Sequence, residues 1–106
     1  PKLVDYSASK GGIENLTQVA AIELGEHRIR VNCVAPGPIE IERTRLEAPE
    51  YGDTWGNMAP VGRVGNSLDI AHAVEYFGSD KASYVTGQTL YVDGGVFTRP
   101  NWPDYE

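Results

Sequence analysis

Apolar positions in the first quarter of the chain fall on one side of a helix. With Ile13 as origin and about 100° per residue, Leu16, Val19, Ala20 and Leu24 join it. Their arc is roughly 140° wide, the breadth of a core-facing stripe. Asp5 fits the N-cap and Gly25 the C′ position, so the pattern predicts a helix between them. The run "RIRVNCVAPG" then reads as a buried strand ended by a Pro-Gly turn. From Pro36 to Val64 no period holds, and a connection of this length is usually functional, with short helical turns breaking it up. Ile70, Val74 and Phe77 return to helical spacing and predict a second helix over about Leu68 to Phe77, stopped by Gly78. "GQTLYVDGG" alternates as a strand and closes in a glycine turn, and "VFTRPNWPDYE" is expected to be extended.

The order helix, strand, long loop, helix, strand describes an α/β chain. Its second helix fits a right-handed crossover between parallel strands. Two parallel strands cannot shield themselves, because such sheets are covered by helices on both faces. The expected fold class is therefore the C-terminal part of a doubly wound parallel sheet, incomplete on its own. The domain reading is one unit over 1–95 with an extended tail over 96–106.

Composition narrows the function classes. The 106 residues are 41% hydrophobic and 23% charged, an ordinary globular balance. A net charge of −6 argues against nucleic acid and against an anionic membrane surface, both of which select basic patches. No apolar run approaches a membrane span, and no signal peptide opens the sequence. The single cysteine, Cys33, reads as a small hydrophobe in a reducing, cytoplasmic setting. His27 and His72 stand far apart with no ligand spacing around them, so no metal site is expected.

Candidate chemistry lies in "YSASKGG". Tyr6 and Lys10 are four residues apart, side by side at the edge of the apolar arc. A free phenol has a pKa near 10, and a close ammonium favours the phenolate. Lowering that pKa by about two units needs roughly 3 kcal/mol of differential interaction. The phenol then becomes useful in acid–base catalysis, typically worth roughly 10²–10⁴ in rate. An amphipathic helix edge also accommodates such a pair with no chemistry at all. Gly11 and Gly12 follow directly, each costing on the order of 1 kcal/mol against alanine in a helix interior. Some close approach should offset that cost.

Taken together, "YSASK", "RVNCVAPGPI", "PVGRVG" and "DIAHAV…SDKASYVTGQTLYVDGG" resemble the short-chain dehydrogenase/reductase family in order and spacing, from about Tyr6 to Gly95. The resemblance implies a Rossmann-like fold and an NAD or NADP cofactor. It implies hydride transfer between nicotinamide and a secondary alcohol or ketone. Tyr6 is then the general acid/base, and Lys10 tunes it and hydrogen-bonds the nicotinamide ribose. Pro36, Gly37 and Ile39 form the turn that reads the carboxamide. The threonine usually found two residues beyond Ile39 is replaced by Ile41, leaving Thr44 as the candidate for that contact.

Residues from Glu42 to Met58 correspond to a substrate lid, in which Arg43, Arg45, Tyr51, Trp55 and Met58 either grip substrate or serve as solvated and packing residues. Acidic residues and arginines there suggest a sugar or polyol, with a 3-oxoacyl thioester or a steroid as further classes. Gly11 and Gly12 are implied to pack against the sheet and a neighbouring subunit in a homodimer or homotetramer, and Asp93-Gly94-Gly95 to be a structural turn. The family's glycine-rich phosphate loop and catalytic serine lie upstream of the tyrosine. The chain is therefore expected to be the C-terminal portion of a longer enzyme, inactive alone. The competing expectation is a non-catalytic, family-derived oligomerisation module.

Overall fold

A computed structural model describes residues 3–98, with only the backbone of Leu3 and Tyr6. In chain order the elements are α1 (Leu3–Leu24), β1 (Cys33–Pro36), α2 (Glu42–Glu47), α3 (Tyr51–Met58), α4 (Ser67–Gly78) and β2 (Thr89–Val92). Short 3-10 turns occupy Gly25–His27, Asp80–Ala82 and Val96–Thr98. The two strands form one sheet. Its register is parallel: the Cys33 N–H donates to the Gln88 carbonyl at 2.8 Å, and the Gly37 N–H to that of Val92 at 2.9 Å. Two compact units emerge, one from 1–35 with 71–91, the other from 36–70 with 92–106.

In the first unit, small residues set how closely α1 approaches the start of β2. Thr17 and Ala21 are its buried positions. The Ala21 methyl lies 3.4 Å from where a Cβ on Gly87 would stand, and Gly87 has a left-handed φ of +74°. A side chain there would be strained as well as crowded. Asn32 fastens the entry to β1, its amide donating to the Val85 carbonyl at 2.8 Å and its oxygen accepting from the Gln88 N–H at 3.1 Å. The α4 helix covers its predicted range, but its buried position is Ala73, while Val74 of the predicted stripe is 55% exposed.

In the second unit, α4 begins at a reciprocal cap. Asn66 Oδ1 accepts from the Asp69 N–H at 3.2 Å, and Asp69 Oδ2 accepts from the Asn66 N–H at 2.9 Å. These bonds satisfy donors that the first turn leaves unpaired. Asn66→Ala should cost about 1 kcal/mol of stability, visible as a lower unfolding midpoint in a calorimetric scan. An unchanged midpoint would remove the cap from the account.

Several expectations need correction. Asp5 is not the N-cap: α1 already begins at Leu3, and Asp5 sits within its first turn, where a carboxylate favours the helix dipole. α1 does end at Leu24, directly before Gly25, but Gly25 does not take the left-handed conformation of a C′ residue. A 3-10 turn carries the chain on to Arg28, which takes the left-handed conformation at φ 60° and returns its N–H to the Gly25 carbonyl. The apolar stripe is largely uncovered, with Ile13 52% and Leu16 65% exposed. The inward strip is its neighbour, where Lys10 and Glu14 are half-buried and Thr17 and Ala21 buried. Two four-residue strands offer a helix only a narrow surface, which small residues fill. Complete burial of each large aliphatic side chain would contribute about 1.5–3 kcal/mol. Four alanines instead make up the buried apolar residues among those described.

The long connection carries two short helices, α2 and α3, in keeping with the short helical turns expected there. Val96–Thr98 coils into a 3-10 turn where extended chain was expected, and residues 99–106 lie outside the described residues. Among the described residues, a Cβ on Gly11 or Gly12 would meet nothing within 4 Å, so none of them makes a close approach to either. Gly12→Ala should therefore raise helix content and stability by about 0.5–1 kcal/mol. Circular dichroism through thermal unfolding checks this, and a lower midpoint would mean that another surface packs there.

Candidate active site

In the first unit, α1 runs unbroken through Tyr6 and Lys10, one turn apart. The Tyr6 side chain lies outside the described residues. Lys10 is half-buried, and its Nζ sits 5.1 Å from the centre of the Tyr91 ring. That distance permits an attraction of about 0.5–1 kcal/mol at an exposed site. Sequence reasoning did not reach Tyr91, because no spacing rule connects a residue on β2 with one on α1. Strand alternation puts Tyr91 on the same sheet face as Thr89, which is the only local signal.

In the second unit, the backbone around Gly37 is closed on one side. A Cβ there would lie 2.6 Å from both Cα and Cβ of Asp93. Glycine is thus required for the two strand ends to meet. Asp93 is itself held in the glycine turn, its carboxylate accepting from the Gly95 N–H at 2.8 Å. Gly94 and Gly95 take φ values of +61° and +88°, so the "DGG" turn is structural, as expected. Beyond Gly37, Ile39 forms a parallel bridge with Gly65. The bridge employs the Pro38 carbonyl and the Glu40 N–H. Ile39's own N–H and carbonyl take no part in it, which gives a donor and an acceptor side by side.

Thr44 marks the start of α2. Its hydroxyl donates to the Ile41 carbonyl at 2.7 Å and accepts from the Ile41 N–H at 2.8 Å. One lone pair remains, so toward any ligand Thr44 can act only as an acceptor. Arg43 pairs with Glu47 at 3.1 Å and Arg45 with Glu40 at 3.3 Å. Tyr51 and Trp55 lie with ring centres 6.3 Å apart. Glu40, Asp53, Asn57 and Arg63 line a cleft of about 280 Å³. Arg63 also makes a forked contact with Asp69 at 2.8 and 2.9 Å, and that hydrogen bond and charge raise the pKa of its guanidinium.

Among the described residues, no group of three metal-ligating side chains converges, and no helix is long and apolar enough to cross a membrane. Cys33 is half-buried and unbridged. His27 and His72 are exposed.

The chain is similar along most of its length to known proteins. A family model described as enoyl-(acyl carrier protein) reductase matches residues 1–97. The chain is 41% identical over 104 residues to 3beta-hydroxysteroid dehydrogenase 1 of Eggerthella lenta, covering 96% of this chain and 40% of that relative. Among solved structures, acetoin dehydrogenase YohF from Salmonella typhimurium aligns with a TM-score of 0.77 at 40% identity, over 95% of this chain and 38% of that one. A 4-hydroxyisoleucine dehydrogenase complexed with NADH aligns with a TM-score of 0.77 at 30% identity, over 90% and 40% of the two chains. The chain thus spans about 40% of the length of the relatives it matches. Its α/β elements and parallel strand pair are those of part of a Rossmann-like fold. By the extent of the family match and these likenesses, the chain belongs to the short-chain dehydrogenase/reductase family.

Proposed function

We propose that this chain supplies the acid–base and nicotinamide-binding part of an NAD(P)-dependent oxidoreductase acting on a secondary alcohol or ketone. The observation that carries the reading is the uninterrupted turn of α1 from Tyr6 to Lys10 in a chain of this family. In oxidation, the Tyr6 phenolate takes the hydroxyl proton as the carbinol C–H bond breaks. In reduction, the phenol returns that proton to the developing alkoxide. Lys10 favours the phenolate through its charge and offers hydrogen bonds to a ribose. A bound nicotinamide accepts or supplies the hydride.

The second unit's residues fit a nicotinamide carboxamide in their chemistry. Ile39 offers an N–H for the amide oxygen and a carbonyl for the amide nitrogen. Thr44 offers an acceptor for that same nitrogen, which is all its remaining lone pair allows. Pro36 and Gly37 end β1 and bring the chain into this turn. The paired arginines and acidic residues of α2 support a hydroxylated, polar substrate such as a sugar or polyol. We place the enzyme in the cytoplasm, as a homodimer or homotetramer, in keeping with its free half-buried cysteine and uncovered α1 stripe.

Titration of the intact protein with NADH, followed by nicotinamide fluorescence, tests the assignment. Lys10→Ala should weaken binding roughly tenfold or more, as expected for a hydrogen bond from a charged group, and should lower turnover as well. Unchanged affinity and rate would show that Lys10 touches neither the cofactor nor the acid/base.

A further inference from the structure

We propose that Tyr91 is the positioning residue of this site: its ring face holds the Lys10 ammonium on the inward side of α1, one turn beyond Tyr6. The proposal rests on the reading of Tyr6 and Lys10 given above. The separation of 5.1 Å from Nζ to the ring centre lies within cation–π range. Both residues belong to the first unit.

A lysine needs such a support because its charge sits on a flexible four-carbon stem and is strongly hydrated. Left unguided, the ammonium turns to water and its distance from a neighbouring phenol fluctuates. The support stands on a fixed element. β2 is hydrogen-bonded to β1 at both ends, through Gln88 and Val92, and the Asp93 carboxylate anchors the turn that follows it. A group presented from a hydrogen-bonded strand is held more accurately than one on a loop.

Ring and carboxylate supports differ in what they leave for the reaction. A carboxylate at this position would attract the ammonium but cancel much of its field. An aromatic face attracts the cation through its quadrupole and carries no net charge. The ring thus restrains the Lys10 ammonium without itself subtracting from its charge. Tyr91 is given no part in the proton or hydride transfer. Its contribution is indirect, and phenylalanine would serve as well.

The test uses the intact protein with Tyr91→Leu and Tyr91→Phe. Lysines are reductively methylated with carbon-13, and the Lys10 signal is assigned by its loss in Lys10→Arg. In the wild type and in Tyr91→Phe the Lys10 methyl protons should be shifted upfield by the ring current. In Tyr91→Leu they should move to the position of an exposed lysine. Turnover should fall roughly two- to fivefold in Tyr91→Leu, the rate equivalent of an exposed cation–π contact, and return in Tyr91→Phe. A Lys10 signal identical in wild type and Tyr91→Leu overturns the proposal, as does its displacement by both substitutions. The spectroscopic readout needs neither cofactor nor substrate. It therefore decides the contact even if Tyr6→Phe proves fully active, which would instead defeat the acid/base reading.

Discussion

Tyr6→Phe should lower turnover by about 10²–10⁴ while leaving NADH affinity nearly unchanged, since the range is that of a positioned general acid or base. The substitution removes a single oxygen, the one proposed to carry the proton. It keeps the ring and the helical position, and α1 is unbroken on either side. A hydride cannot leave a carbinol carbon productively unless the hydroxyl proton also leaves. Without the phenol, that proton must go to water, whose basicity is poorly matched to the task. The ribose contact proposed for Lys10 is left untouched, so binding should be spared. The pattern thus separates the two residues: Tyr6→Phe affects rate alone, whereas Lys10→Ala affects rate and affinity together. Near-wild-type turnover in Tyr6→Phe would move the acid/base elsewhere.

Gly37→Ala should unfold the junction between the two strand ends. The added methyl would sit 2.6 Å from Asp93 Cα and Cβ. Neither side yields easily. The Gly37 N–H is bound to the Val92 carbonyl at 2.9 Å, and the Asp93 carboxylate is bound to the Gly95 N–H at 2.8 Å. Overpacking against flexible side chains costs about 1–3 kcal/mol. Here the contact is with backbone, so the cost should lie at the upper end of that range or above. In a domain of this size the melting temperature should fall by at least about 4 °C. Cofactor affinity should decline with it, because the Ile39 backbone follows directly after the displaced turn. An unchanged melting temperature would show that the strand ends separate freely.

How much of this was legible depended on which interactions hold each element. The α4 helix announces itself through Ile70, Val74 and Phe77 and the glycine that follows, and the structure places it within a residue of that reading at each end. The β2 strand is visible in the alternation of "TLYV". The α1 helix was legible in type, while its inward side was not. Periodicity reports which residues would gain from burial, yet Thr17 and Ala21 turn inward because small side chains fit the narrow surface available. The α2 and α3 helices were expected only as short turns without positions, because local pairs hold them, Arg43 with Glu47 and Tyr51 near Trp55. Helices this short carry no full apolar period.

The candidate site divides along the same line. Tyr6 and Lys10 stand four residues apart and could be placed on one helix face by geometry alone. Thr44 could be named, but its bonds to Ile41 arise from the path the chain takes into α2. The dependence of Gly37 on Asp93, and of Lys10 on Tyr91, joins distant segments that only the folded chain brings together. Asn66 and Asp69 are the exception, since an Asn followed three residues later by an acidic residue is a readable helix start.

The most direct measurement of the central claim is native mass spectrometry of the intact protein with and without NADH. The account predicts a dimer or tetramer in which every subunit gains one NADH. A protein that takes up no nicotinamide cofactor would contradict it, and the Tyr6–Lys10 turn would then be a family feature retained without the site it once served.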